Sequence, residues 1–448
     1  MEMAKMENNE IKNSKLIPRL RFPGFEGEWE EKLVKEICDI NTGKSNTQDQ
    51  VANGKYPFYI RSAVPVRSNR YLYDCEAVIT IGDGQIGKVF HYVKGKFDLH
   101  QRCYMMSNFR KVDSRYFYHF FSNNFYDRAM RMSAKATVDS VRLEMISEMP
   151  ILYPSLSEQQ KIASCLSELD NLIAAQGQKV DALKEKKKGL MQQLFPQPGE
   201  TTPRLRFPGF EGEWVEKKLG EVFEKINNGM AYNTYLTEGY PMSRIETISS
   251  GEIDYDRVGY SDIEPNEKYK LLVGDLLFSH INSETRIGRI AMYRGEKALY
   301  HGMNLLLLRA GHLYDKFFVF YQMDRTETRT NIQKLAKKAI NQASVSTSDL
   351  KQVSVMIPPY LPEQQKIASC LSSLDDLIAA ESAKVEALKD HKKGLMQQLF
   401  PQGSEISRFS NTDVQECAVS SEISRFSNTH LQTDARECAE PKQQTSKD

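Results

Sequence analysis

Residues 158–197 read EQQKIASCLSELDNLIAAQGQKVDALKEKKKGLMQQLFPQ, and residues 363–402 read EQQKIASCLSSLDDLIAAESAKVEALKDHKKGLMQQLFPQ. About four positions in five are identical, so the chain carries one long segment twice. Apolar residues recur in alternating steps of four and three. In the first copy they are Ile162, Leu166, Leu169, Ile173, Val180, Leu183, Leu190 and Leu194. In the second they are Ile367, Leu371, Leu374, Ile378, Val385, Leu388, Leu395 and Leu399. This heptad stripe predicts a helix that packs along another helix. Gln176 and Lys187 interrupt it, matched by Glu381 and Lys392. A helix of about forty residues is a rod of roughly 60 Å. The stripe suits a spacer of two rods laid side by side, or a helical hairpin in the core of a larger domain.

A second repeat lies upstream of each rod. PRLRFPGFEGEWEEKL at residues 18–33 returns as PRLRFPGFEGEWVEKKL at residues 203–219. Pro, Gly and aromatics at this density predict an extended lead-in with a tight turn at Pro23-Gly24 and Pro208-Gly209. Between lead-in and rod, residues 34–154 and 220–360 differ far more than the repeats around them. Both have short runs rich in β-branched and aromatic residues. The first has Tyr56–Arg61, Ala77–Ile81 and Lys88–Val93; the second has Leu276–Ser279, Arg289–Tyr293 and Asn304–Leu308. Helical stretches are expected at Ser114–Ser133 and Tyr314–Lys338, each followed by an exit strand, MPILYP or VSVMIPP. One local pattern is shared, around Ile86-Gly87-Lys88 and Ile287-Gly288-Arg289.

The expected fold is therefore α+β, with two globular domains of mixed strands and short helices, two long coiled-coil helices and an internal repeat. The expected borders are a disordered N-terminus at 1–15, a first domain at 16–154, a central long helix at 155–197, a second domain at 198–360, a C-terminal long helix at 361–402, and a disordered tail at 403–448. The tail repeats SEISRFSNT, and its role is not legible.

Composition narrows the function. The 448 residues carry a formal net charge of +1, so any nucleic-acid contact must come from local patches or be shared with a partner. Seven cysteines with no CxxC pair suit a reducing, cytoplasmic setting rather than a disulfide framework or zinc site. No apolar run marks a signal peptide or a membrane span. Gly82–Lys88 has the GxxxxGK spacing of a phosphate loop, but Val89 stands where a Ser or Thr is required. The residues after it read as a strand, so a turn exposing Gln85 and Lys88 is expected. Ile357-Pro-Pro-Tyr360 resembles the amino-methyltransferase motif, yet Ile357 lacks the polar group that receives the amine. Histidines are scattered without metal spacing. These readings favour a binding or scaffolding protein.

Each variable domain carries polar residues suited to phosphates and base edges. In the first they are Arg61, Arg67, Arg70, Gln85, Lys88, Gln101, Arg102 and Lys135. In the second they are Arg244, His280, Asn282, Arg286, Arg289, His301, Asn304, Lys337, Lys338, Asn341 and Gln342.

The chain resembles the specificity subunit of bacterial type I restriction–modification systems. The residues that carry the resemblance are Glu158–Ala163 with Leu166, Leu169, Asp170 and Ile173, their second copy from Glu363, and the LMQQLFP endings. It covers about residues 16–402. The resemblance implies that each variable domain is a target recognition domain for one half of a split, asymmetric site in double-stranded DNA. It implies that the two helices pair antiparallel and give the chain a pseudo-twofold repeat. It also implies that two modification subunits supply adenine methylation and that restriction subunits join them. S-adenosylmethionine, ATP and Mg would be bound by those partners, with no cofactor, metal or catalytic residue in this chain. A coiled-coil adaptor, or a DNA methyltransferase with a cryptic site, remains as an alternative.

Overall fold

The computed structural model describes residues 17–132, 140–233, 235–339 and 342–401, excluding the side chains of Lys338 and Ala339. The expected disordered ends lie outside the described residues, as do Lys135, Asn341 and the side chain of Lys338. The chain divides into two compact units, Met1–Ala175 with Val385–Asp448, and Gln176–Lys384. This division cuts each long helix, whereas the sequence suggested that the helices stand apart from the domains. The reason is packing: the ends of each helix complete the globular cores.

In the first unit the chain runs β1 (Glu30–Leu33), α1 (Val34–Ile37), β2 (Asp39–Thr42), β3 (Tyr56–Tyr59), β4 (Val66–Ser68), β5 (Tyr73–Ile81), β6 (Phe90–Leu99), β7 (Cys103–Ser107), α2 (Ser114–Arg131), α3 (Leu143–Ser147) and β8 (Pro150–Tyr153). Six strands form one sheet in the order β2-β7-β5-β6-β3-β4. The central strand β5 reads VITI at its buried end, pairs Ala77 with both Val93 and Ser107, and buries Ala77–Ile81. Only three residues, His100–Arg102, join the end of β6 to the start of β7. The sheet therefore curls, and the backbone N–H groups of Lys44 and Ser45 donate to Leu99 O at its closure. Asp113 caps α2 by accepting from the N–H of Arg115 and Tyr116. Phe117, Phe120, Phe121 and Phe125 of α2 are fully buried in the core.

The second unit runs β9 (Val215–Lys218), α5 (Leu219–Val222), β10 (Phe223–Asn228), β11 (Tyr240–Met242), β12 (Gly259–Ser261), β13 (Leu276–Phe278), β14 (Ile281–Asn282), β15 (Ile290–Met292), β16 (Leu306–Ala310), α6 (Lys316–Asp324), α7 (Thr326–Lys334), β17 (Lys337–Ala339), β18 (Gln342–Ser344), α8 (Thr347–Gln352) and β19 (Ser354–Ile357). Its main sheet has the order β10-β16-β13-β15. The helix expected over 314–338 is broken. Arg325 is extended (φ −61°, ψ 141°), its guanidinium donates to Pro196 O at 2.9 Å, and it stacks on Phe195. Lys337 has left the helix altogether and starts β17.

The two long segments are α4 (Leu156–Leu194) and α9 (Leu361–Leu399). In the first unit, Asp170 near the start of α4 accepts from Lys392 near the end of α9 at 2.6 and 2.7 Å. In the second, Lys187 near the end of α4 donates to Asp375 near the start of α9 at 2.5 Å. The helical segments thus run antiparallel in each unit. The residues that interrupt the apolar stripe are these contacts: Gln176 and Lys179 also donate to Glu381. The stripe is not a pure helix-on-helix seam, however. Ile162, Leu166 and Leu399 are buried in a cluster with Trp29, Tyr116 and Phe120. Leu194, Ile367 and Leu371 are buried with Trp214, Leu219 and Phe318. Mid-stripe positions such as Ile173, Leu183, Ile378 and Leu388 are only half-buried.

The lead-ins explain why two distant motifs repeat together. The Leu20 N–H donates to Gln398 O at the end of α9, and Arg21 donates to Glu158 at the start of α4. In the second unit the Leu205 N–H donates to Gln193 O, and Arg206 donates to Glu363. The next residue continues the clasp. Gln159 accepts from the Asp113 N–H and donates to Pro154 O, while Gln364 accepts from the Asp315 N–H and donates to Pro358 O. The repeated Glu-Gln pair is thus a structural fastening, a role the sequence reading did not assign to it.

Candidate nucleic-acid interface

The curled sheet of the first unit gathers five connections: residues 43–55 after β2, 60–65 after β3, 69–72 after β4, 82–89 after β5 and 100–102 after β6. Their polar residues meet. Asp83 accepts from Arg61 and Arg102. Gln101 donates to Asn46 Oδ1 at 2.6 Å. Arg70 donates to Ser45 Oγ and reaches Asp49 and Asp98. Asp98 is fully buried, and it also accepts from Ser45 Oγ at 2.6 Å and from the Leu99 N–H at 2.9 Å. This carboxylate is the anchor that holds the loops in place, a function the sequence reading missed. Burying a charge is tolerated only with such partners. Arg67 lies apart, with its Nε on Gly54 O at 3.1 Å.

The Gly82–Lys88 segment is the expected turn rather than a phosphate loop. The Lys88 N–H donates to Gln85 O, both side chains are exposed, and β6 follows at Phe90. Lys88 lies over the Tyr126 ring at 5.5 Å. Gly87 has φ +66° and Gly288 has φ +80°, and each packs on a helix, at Tyr126 and Arg329 respectively. The shared Ile-Gly-basic pattern is therefore a backbone device, with Ile86 and Ile287 buried beneath it.

The second unit corrects two assignments. His301 is 1 % exposed and its Nε2 lies 3.0 Å from Leu305 O. Burial holds it well below the ordinary histidine value, at about 4, so it is a neutral core residue out of reach of a DNA groove. His280 is also buried, with its pKa lowered for the same reason. Arg289 donates to Ser249 O and serves as a loop fastener. Arg244 donates to Arg257 O at 3.0 Å. Arg286 and Asn304 are exposed, Asn304 with φ +69°. Asn282, Lys337 and Gln342 come together in the three-stranded sheet β14-β18-β17. Lys337 is 82 % exposed and 4.0 Å from Asp349.

Comparison with known proteins places this architecture. The family model for the type I restriction modification DNA specificity domain matches twice, at residues 26–185 and 211–390. The chain belongs to this family. A putative type I restriction enzyme specificity subunit of Methanocaldococcus jannaschii, MjaX, is 39% identical over 211 residues, which span 46% of this chain and 49% of that protein. The MjaVIII specificity subunit of the same organism is 24% identical over 418 residues, 87% of this chain and 95% of that one. The crystal structure of a type I S subunit from M. genitalium shares the fold, with a TM-score of 0.60 at 16% identity, covering 86% of this chain and all of that one. The chain is thus a specificity subunit, the non-catalytic DNA-recognition component of a type I restriction–modification system, and it works in assembly with other subunits. Among the described residues no helix is long and apolar enough to cross a membrane.

Proposed function

We propose that the two units read the two different halves of one split DNA site. The observation that carries this is the contrast between frame and loops. Both units use the same clasp (Arg21 on Glu158, Arg206 on Glu363) and the same glycine turn. The exposed polar groups mounted on that frame differ between units, as they must if the halves differ. Near-zero net charge fits a reader whose phosphate affinity is shared with partners. Because the helical surface is nearly the same twice, it presents two equivalent docking places, one for each of two modification subunits, and the restriction subunits join that complex. S-adenosylmethionine, ATP and Mg belong to those partners in this reading.

The test is a domain exchange. Residues 34–154 are replaced by the matching segment of a relative, and the methylated motif is read from host DNA. One half of the motif is expected to change. A change in both halves, or in neither, contradicts the proposal. Native mass spectrometry with saturating modification subunit is expected to give two copies per chain; a stable one-to-one complex contradicts that part.

A further inference from the structure

We propose that Asp83 holds Arg61 and Arg102 as a paired guanine reader for the half-site contacted by the first unit. The inference rests on the half-site reading above. Arg61 follows β3, Arg102 precedes β7, and Asp83 sits on the turn after β5, so three separate connections meet at one carboxylate. Arg61 Nη1 lies 3.2 and 3.1 Å from the two Asp83 oxygens, and Arg102 Nη1 lies 2.9 Å from Oδ2. The turn is fixed by its backbone: the Gly82 N–H donates to Arg102 O, and the Val141 N–H donates to Gly82 O, both at 2.7 Å. The Arg102 N–H is itself held by His100 Nδ1 at 3.1 Å.

The chemistry follows from what is left over. Each arginine contacts Asp83 through Nη1, and each guanidinium has further N–H donors. The side chains of Arg61 and Arg102 are 45 % and 64 % exposed, while Asp83 is 15 % exposed. A long arginine normally loses much rotamer freedom on binding; one already fixed by a carboxylate loses less. Two parallel N–H groups match the O6 and N7 of guanine. A phosphate is the poorer partner, because Asp83 brings negative charge toward it and halves the net charge of the pair. Burial raises the Asp83 pKa, but its hydrogen bonds from Arg102 and Arg61 outweigh that and hold it below the ordinary aspartate range. The carboxylate stays charged and accepts only.

Among the described residues, the second unit lacks this device. Asp83 forms a bridge with Ser140, and the corresponding bridge to Ser344 is made by Ile281. The link after His301 reads Gly302-Met303, with no arginine. Arg244 follows Tyr240-Pro241 much as Arg61 follows Tyr56-Pro57, yet its Nε donates to the Arg257 carbonyl and lies 3.6 Å from the exposed Glu246 carboxylate, which no second arginine shares among the described residues. The guanine reader therefore belongs to one half-site only.

The experiment uses the assembled complex with its modification subunits, binding duplexes that carry every base change at each position of the methylated motif. Arg102→Gln is expected to relax discrimination at one G·C position of one half by about tenfold or more. The other half is the internal control for folding and assembly. Arg102→Lys keeps the charge but loses the fork, and is expected to relax the same position with non-specific affinity retained. Asp83→Asn is expected to relax it by a smaller factor. If Arg102→Gln instead weakens all duplexes equally and makes the salt dependence shallower, while Arg102→Lys restores binding, the contact is to phosphate and the proposal fails. An unchanged motif in all three variants also overturns it. Should the unmodified complex show no two-part motif, the half-site reading itself fails, which is a separate result.

Discussion

Arg21 reaches Glu158 across the whole first domain, with Nε 2.8 Å from Oε1 and Nη2 2.7 Å from Oε2, and Glu158 is 1 % exposed. The same guanidinium donates to the carbonyls of Glu26 and Gly27, so it bends the lead-in and locks it onto α4 at once. Removing the arginine leaves a buried carboxylate without its partner. Arg21→Ala is expected to cost about 3 kcal/mol in urea unfolding, the order found when one member of a buried pair is lost. Glu158→Gln keeps an acceptor and should cost less. Equal costs would mean that the pair is not the fastening described.

The polar crossings between the helices should act as charge pairs rather than as packing. Lys392 and Asp170 are 18 % and 40 % exposed, so the coupling is partly screened. A double-mutant cycle with Lys392→Met and Asp170→Asn is expected to give about 0.5–1 kcal/mol. The exchanged pair, Asp170→Lys with Lys392→Asp, should recover most of the stability that either single charge reversal removes. No recovery would show that the stripe alone holds the helices.

Acid should loosen the chain at two places with different windows. Hydrogen bonds from Lys179, Gln176 and Lys384 hold the Glu381 pKa down at about 2 from an ordinary 4.5. Its contribution is therefore complete above about pH 4.5 and is lost as the pH falls toward 2. Glu381→Gln should flatten the stability profile in that window only.

His301 acts in the same direction at higher pH. Its folded value of about 4 lies below the unfolded 6.5, so the unfolded chain takes up the proton first. Stability should fall from about pH 6.5 to 4, by about 3 kcal/mol for this one group. His301→Gln, which can still donate to Leu305 O, should remove that slope. A slope that persists in the variant would assign it to other groups.

The two glycine turns should differ in tolerance although their sequences match. At Gly87 (φ +66°) an added Cβ would lie 2.8 Å from the Tyr126 Cα, which is backbone and cannot yield. At Gly288 (φ +80°) the nearest atom is the Arg329 Cγ at 3.0 Å, part of a flexible side chain. Gly87→Ala is expected to cost about 2–3 kcal/mol and Gly288→Ala about 1 kcal/mol. Thermal unfolding of the two variants compares them directly.

The sequence by itself determined the repeat, the two long helices and the α+β character of both domains. These are local properties. A heptad stripe, a Pro-Gly turn and β-branched runs each express the preference of a short stretch, and duplication made them visible without any knowledge of distance. It also pointed to the loops that carry the polar residues. What it could not assign was which of those residues are free. His301 and Arg102 both entered as polar residues near a turn, yet one is a neutral core group and the other is 64 % exposed on a shared carboxylate. The break at Arg325, the anchoring role of Asp98 and the Arg21–Glu158 clasp were equally hidden. Each depends on partners tens or hundreds of positions away, and burial and hydrogen bonding exist only once the sheet has curled and the helix ends have packed into the cores. Periodicity selects the elements; tertiary packing decides which charges are consumed inside the protein and which remain to meet DNA.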